Sequence, residues 1–200
     1  MPNPNPRNRI IARSATAPQC GSNPSRRSAA GLIALSAVVL ALMAAPVHGS
    51  LVVLMNLEEL VGASDSIVEG VVEAVESRWE DQQIFTYTTI RIDDPLKGNR
   101  TRTVVIRQLG GRVGALMAIV PGMPQFDTGL RVIVFLKDSG NGSHYVVGMN
   151  QGRYVIAEDY AVSNLTGLDL VDPKTGVRGV ATASRVEVES LKARIRELVR

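Results

Sequence analysis

The chain has 200 residues, 45% of them hydrophobic and only 4% aromatic, so its core is built from Val, Ile, Leu and Ala and its length suits one domain with appendages. The formal charge of +3 is a property of the first 50 residues, where Arg7, Arg9, Arg13, Arg26 and Arg27 stand with no acidic residue; beyond them seventeen basic face nineteen acidic side chains, a net of −2. Nucleic-acid binding needs cations clustered on the folded domain, so a nucleic-acid partner is excluded.

Residues 29–45 form an uncharged run, AAGLIALSAVVLALMAA, preceded by Arg26-Arg27 and broken by Pro46. Val47-His48-Gly49 then offers a small-residue exit. Positive flank, apolar stretch and small exit are the marks of a secretory signal peptide over 1–49, with the mature chain starting at Ser50 in the periplasm or outside the cell. The long segment before the run points to a later translation start or to a twin-arginine signal at Ser25-Arg26-Arg27. The alternative is an uncleaved membrane anchor, although a span needs about 20 apolar residues. Cys20, the only cysteine, precedes the run. The mature chain therefore has no disulfide and is held by its core alone.

In chain order, Asn56 to Gly62 predicts a short helix, with Asn56 as N-cap, Glu58 and Glu59 at the positive end of the dipole, and Gly62 as the stop. Ser66 to Trp79 predicts a long strand. Its apolar parity switches after Ala74, from Val68 and Val72 to Val75 and Trp79, which calls for a bulge near that point; Gly70 lets the strand bend. A turn over 80–83 leads into an alternating strand, Ile84 to Asp93, which Asp94-Pro95-Leu96-Lys97-Gly98-Asn99 is expected to end. Thr101 to Leu109 predicts a third strand.

After Gly110-Gly111, Val113 to Val120 reads as a short buried turn of helix or a flap, and Pro121, Gly122 and Pro124 make the next stretch irregular. Leu130 to Leu136 predicts a strand buried on both faces. A glycine-rich hairpin connection over 138–143 leads to a fifth strand, His144 to Met149, and the sheet resumes over 151–156. Asp159 to Ala183 has little periodicity and predicts surface loop. Glu187 to Val199 predicts an amphipathic helix, with Val188, Leu191, Ile195 and Leu198 on one stripe and Lys192, Arg194 and Arg196 on the other faces.

The fold class expected is mainly β: a five- to six-stranded OB-like barrel over 50–158, with a short N-terminal helix, then over 159–200 a loop and an amphipathic C-terminal helix packed on the barrel.

Catalytic chemistry finds few residues to use. The mature chain has one histidine, His144, and a Ser-His-Asp arrangement with Ser143 fails because adjacent strand residues point to opposite faces. Zinc sites of His and Cys are excluded within one chain. Glu80-Asp81 and Asp93-Asp94 fall at opposite ends of the first hairpin and read as solvated turn residues. Gly110-Gly111-Arg112-Val113-Gly114 lacks the Lys-Ser/Thr of a phosphate loop and the dinucleotide spacing, so no cofactor is expected. Arg107 and Arg112 could still hold an anionic partner. Trp79 is either a partly buried plug at a barrel end or an exposed anchor. The residues expected to contact a partner are Gly110, Gly111, Arg112, Leu116, Met117, Ile119 and Trp79.

The segments LEELVGASDSIVEGVVEAVESRW, YTTIRIDDPLKG, VIRQLGGRVG, VPGMPQFDTGLRVIVFL and VVGMNQGRYVI together resemble an uncharacterised family of small exported bacterial proteins, over nearly all of residues 57–157. That family looks distantly related to the netrin-like barrels, which include the tissue inhibitors of metalloproteinases. The resemblance implies an OB-type barrel and, since some members sit beside matrixin-type proteases, an exported metalloprotease as partner. The inhibitors chelate the protease zinc through a mature N-terminal cysteine, which this chain lacks, so that mechanism does not carry over. The expected function is a non-enzymatic binding module for an exported metalloprotease or another envelope protein. One alternative is an envelope-associated structural protein that reaches a membrane through an uncleaved leader or its C-terminal helix. The other is a hydrolase using carboxylates.

Overall fold

The computed structural model of the chain describes residues 51–98, 101–165, 169–173, 175–176, 178–180 and 183–200. The expected signal peptide over 1–49 and the cleavage site at Ser50 lie outside the described residues. What is described is mainly β, with one large multi-strand sheet and a C-terminal helix.

The chain enters through a short strand, Leu51–Val53 (β1), and a seven-residue helix, Leu57–Ala63 (α1). Asn56 caps the helix: its Oδ1 accepts from the Glu59 amide at 2.8 Å, and the Glu59 carboxylate accepts from the Asn56 amide at 2.8 Å. Gly62 is not the stop. The helix runs one residue past it, and Ser64, in extended conformation, ends it while its hydroxyl donates to the Leu60 carbonyl.

Ser66–Glu80 (β2) and Gln83–Lys97 (β3) form a long hairpin closed by Asp81 and Gln82, both at positive φ (45° and 66°), as a two-residue turn of the primed type requires. Glu73 is left over between the Val72–Ile90 and Ala74–Thr89 pairs. One extra residue flips every later side chain to the other face, which is why Val75, Ser77 and Trp79 continue the face that Val68 and Val72 began. At Gly70 the two strands come so close that an added Cβ would lie 2.1 Å from the Arg91 carbonyl oxygen. Two further register shifts carry β3 through Asp94 and Pro95 to Lys97, past its expected end. Proline is tolerated in a strand where a bulge has already interrupted the ladder, and Pro95 faces Val68 at such a shift.

Thr103–Leu109 (β4) pairs with β3. Gly111–Val113 (β5) and Leu116–Ala118 (β6) form a separate two-stranded hairpin, where a buried helical turn was one expectation. Arg131–Asp138 (β7) runs antiparallel to β2, and His144–Val146 (β8) lies antiparallel to β7 and parallel to β4. The pairings β2–β3–β4–β8–β7–β2 thus close into a circuit. A 3-10 turn, Met149–Gly152, leads to Arg153–Ala157 (β9), which pairs with β7, and to Tyr160–Ser163 (β10).

The expected loop over Asp159–Ala183 is corrected by β10 and by Asp169–Val171 (β11) and Arg178–Val180 (β12), which join β1 in a small sheet. Ser184–Glu187 (β13) pairs with β10 at the edge of the eight-stranded sheet. Such short strands have no period of their own; neighbouring strands supply their register.

Val132 to Leu136 of β7 are buried without exception, and they divide two cores. Val132, Val134 and Leu136 join Val68, Val72, Ile90, Val104 and Ile106 inside the circuit. Ile133 and Phe135 join Ile67, Leu60 and the apolar stripe of Val188–Val199 (α2) outside it. Lys192 is not on a solvent face. It is buried, with its ammonium 2.7 Å from Glu69 and 2.8 Å from Asp94, and Arg131 and Arg196 complete the neutralisation of those carboxylates at 2.8 and 2.7 Å. Among the described residues no helix is long and apolar enough to cross a membrane.

Candidate functional site

The expected contact residues converge where β5 leaves β4. The Gly110 amide donates to the Ile84 carbonyl at 2.7 Å, and the Gly110 carbonyl accepts from the Thr86 hydroxyl at 2.7 Å. Thr86 faces Ser77 across the β2–β3 ladder, hydroxyl to hydroxyl at 2.8 Å, and Ser77 Oγ also accepts from the Arg112 amide. Gly111 lies directly over this pair at φ 131°, and a Cβ there would sit 2.1 Å from Thr86 Oγ1. Only glycine combines that backbone with that approach. Two glycines and two hydroxyls therefore fix the root of the β5–β6 hairpin against the inner face of β2 and β3.

The chain beyond β6 is held as firmly. The Gly122 carbonyl accepts from the Asn150 amide, the Pro124 carbonyl from the Gln108 carboxamide, and the Gln125 carbonyl from the Arg153 guanidinium. Burial pushes the Arg153 guanidinium down from its ordinary value, against the opposing charge of Asp127. Phe126 then plugs into the inner core.

Between the hairpin, the segment up to Phe126 and the sheet lies a cavity of about 450 Å³. Gly110, Gly111, Arg112, Met117 and Ile119 line it together; Leu116 and Trp79 do not. The hairpin's apolar side chains are largely in solvent, Leu116 at 58%, Met117 at 63% and Ile119 at 74% exposure. Trp79, on the same face of β2 as Ser77, is 51% exposed. The sequence reading missed Ser77, Thr86, Thr88 and Gln108 in the wall. Gln108 was legible: it has the inward parity of Val104 and Ile106, and a carboxamide among apolar positions is a signal.

The other candidates resolve differently. Arg107 is not free for a partner, because its guanidinium pairs with Glu80 at 2.9 Å and stacks over Phe85 at 3.5 Å. Glu80 is not a solvated turn residue: it accepts from the Tyr87 hydroxyl at 2.6 Å, from Arg107 and from Arg78 at 2.9 Å. Those three donors, Tyr87 first, hold its carboxyl down at about 2 against an ordinary 4.5. His144 is half-buried, and the hydroxyl of its neighbour Ser143 is spent on Asn141 at 2.7 Å.

A carboxyl whose folded-state value is lowered stabilises the fold fully above 4.5 and loses that contribution as the pH falls toward 2. Glu80→Gln is therefore expected to lower the thermal midpoint at pH 7, with the gap to the parent closing between pH 4.5 and 2 in a melting series. A gap that stays constant across the series would contradict the geometry.

Comparison of the chain with protein-family models, with curated proteins and with solved structures returned no match.

Proposed function

We propose that the chain is an exported, non-enzymatic binding module built on an OB-type barrel, and that the β5–β6 hairpin and the residues up to Phe126 receive a protein partner. The barrel reading is supported by the closed circuit of five paired strands. The observation that carries the partner reading is the hairpin itself: Leu116, Met117 and Ile119 stand in solvent on a base pinned by Gly110, Ser77 and Thr86. Exposed apolar side chains on a rigid mount supply binding area at little ordering cost. The family resemblance favours an exported metalloprotease, with another envelope protein as the wider class.

The two alternatives have less support. The apolar stripe that would dock a membrane is spent on the core, since Val188, Leu191 and Ile195 are buried. The buried Glu69 and the partly exposed Glu80 and Asp94 are each paired with arginine or lysine, which disfavours a hydrolase using them.

The test is direct binding of purified exported metalloproteases of the same cell to the chain and to a Leu116→Ser/Met117→Ser/Ile119→Ser variant. Central apolar anchors contribute about 2 kcal/mol each, so the triple variant is expected to bind at least ~100-fold more weakly at unchanged melting temperature. Equal binding by both would remove the hairpin from the interface. Absence of binding to every exported protease would remove that partner class.

A further inference from the structure

We propose that the cavity beneath the β5–β6 hairpin binds a small amphipathic monocarboxylate, its alkyl or aryl body between hairpin and sheet and its carboxylate on Arg112. The inference stands on this cavity alone and does not rest on the protein-partner reading.

The volume, about 450 Å³, is that of a small-molecule site. Val75, Met117, Ile119, Met123 and Phe126 give it apolar walls from three stretches of chain. The polar groups in the wall are neutral. Gln108 is buried and already donates to the Pro124 carbonyl, and the buried Thr88 hydroxyl has no partner among the described residues. Burying a charge against such walls costs far more than a neutral hydroxyl or carboxamide returns, so the part of a ligand that enters is uncharged.

The rim is different. Arg112 is the one charged residue lining the cavity, it is exposed, and it forms no ion pair among the described residues. Among the described residues its Nε reaches only the Gly114 carbonyl, at 3.4 Å. The neighbouring cations Arg78 and Arg107 are both ion-paired with Glu80. A guanidinium without a counter-charge at the mouth of an apolar cavity is complementary to one planar anion attached to an apolar body, and the planar fork of arginine matches a carboxylate in two hydrogen bonds. The root of the hairpin keeps Arg112 at that place, since its own amide donates to Ser77 Oγ.

Titration calorimetry of the chain with hexanoate, octanoate and decanoate, below their micellar concentrations, tests this. Each added methylene is expected to tighten binding about fourfold until the cavity is full. Arg112→Gln is expected to weaken decanoate about tenfold while leaving decanol unchanged. Ile119→Asp, at an exposed position that spares the fold, is expected to weaken both. An N-acetylated apolar dipeptide with a free carboxylate identifies the source: tighter binding than decanoate assigns the site to a peptide C-terminus, weaker binding to a free acid. No saturable binding of any of these ligands, an affinity independent of chain length, or indifference of decanoate to Arg112→Gln would each overturn the proposal.

Discussion

Lys192→Met is expected to cost about 3–5 kcal/mol of folding stability, measured by urea unfolding at neutral pH. The methionine keeps the aliphatic stem that packs on the core but removes the ammonium that lies between Glu69 and Asp94. Glu69 is then left buried with Arg131 alone. Burial by itself would push the Lys192 ammonium down; its hydrogen bonds to Asp94 and Glu69 more than offset this and hold it above its ordinary 10.5. The sign follows. A raised value means the stabilisation is complete below pH 10.5 and is lost only as the pH climbs through the folded-state value, so the parent chain is expected to lose stability in strong alkali and Lys192→Met to lose less. Adding Glu69→Gln to Lys192→Met is expected to restore part of the loss, because it removes a buried carboxylate that has lost one of its two cations. If the single variant costs under 1 kcal/mol, α2 is not locked by this network.

Gly111→Ala is expected to cost about 2–4 kcal/mol and to release the β5–β6 hairpin. Two effects add. A Cβ at φ 131° is strained wherever it stands, and here it would also lie 2.1 Å from Thr86 Oγ1 and 2.4 Å from Ser77 Oγ. Removing both hydroxyls, as Ser77→Ala/Thr86→Ala, relieves the second effect but not the first. The cycle formed with Gly111→Ala separates them as a coupling energy. Hydrogen exchange at Arg112, whose amide donates to Ser77 Oγ, is the local readout and is expected to accelerate. Unchanged exchange would mean that the hairpin does not depend on its glycine root.

Most of the strands were legible because the information that makes them is local. A period of two over Ile84 to Ile92, the continuous apolar run before Lys137 and the Asn56–Glu59 cap each need only residues a few places apart. The same holds for the bulge, since the parity of the apolar positions switches within β2 itself. The partial failures share one cause. Pro95 reads as a breaker until β2 is placed beside it with its register already shifted. The strands within 160–180 are three or four residues long and take their form from β1, β9 and β13. Lys192 reads as a solvent-facing residue because Glu69 and Asp94 lie on distant strands.

The candidate site divides the same way. Gly110, Gly111 and Arg112 stood out as a turn, and Leu116 to Ile119 as an apolar segment, from composition alone. Whether that segment is core or surface is not a property of its residues. Its hydrophobicity determined that it would be covered or would offer itself to a partner, because apolar area seeks burial in either case. The Ser77–Thr86 hydroxyl pair, reached only because Gly111 has no side chain, holds the hairpin across the open side of the sheet. That contact joins strands whose pairing the whole circuit sets, so only the tertiary structure decided that Met117 and Ile119 stand over a cavity with Arg112 at its mouth.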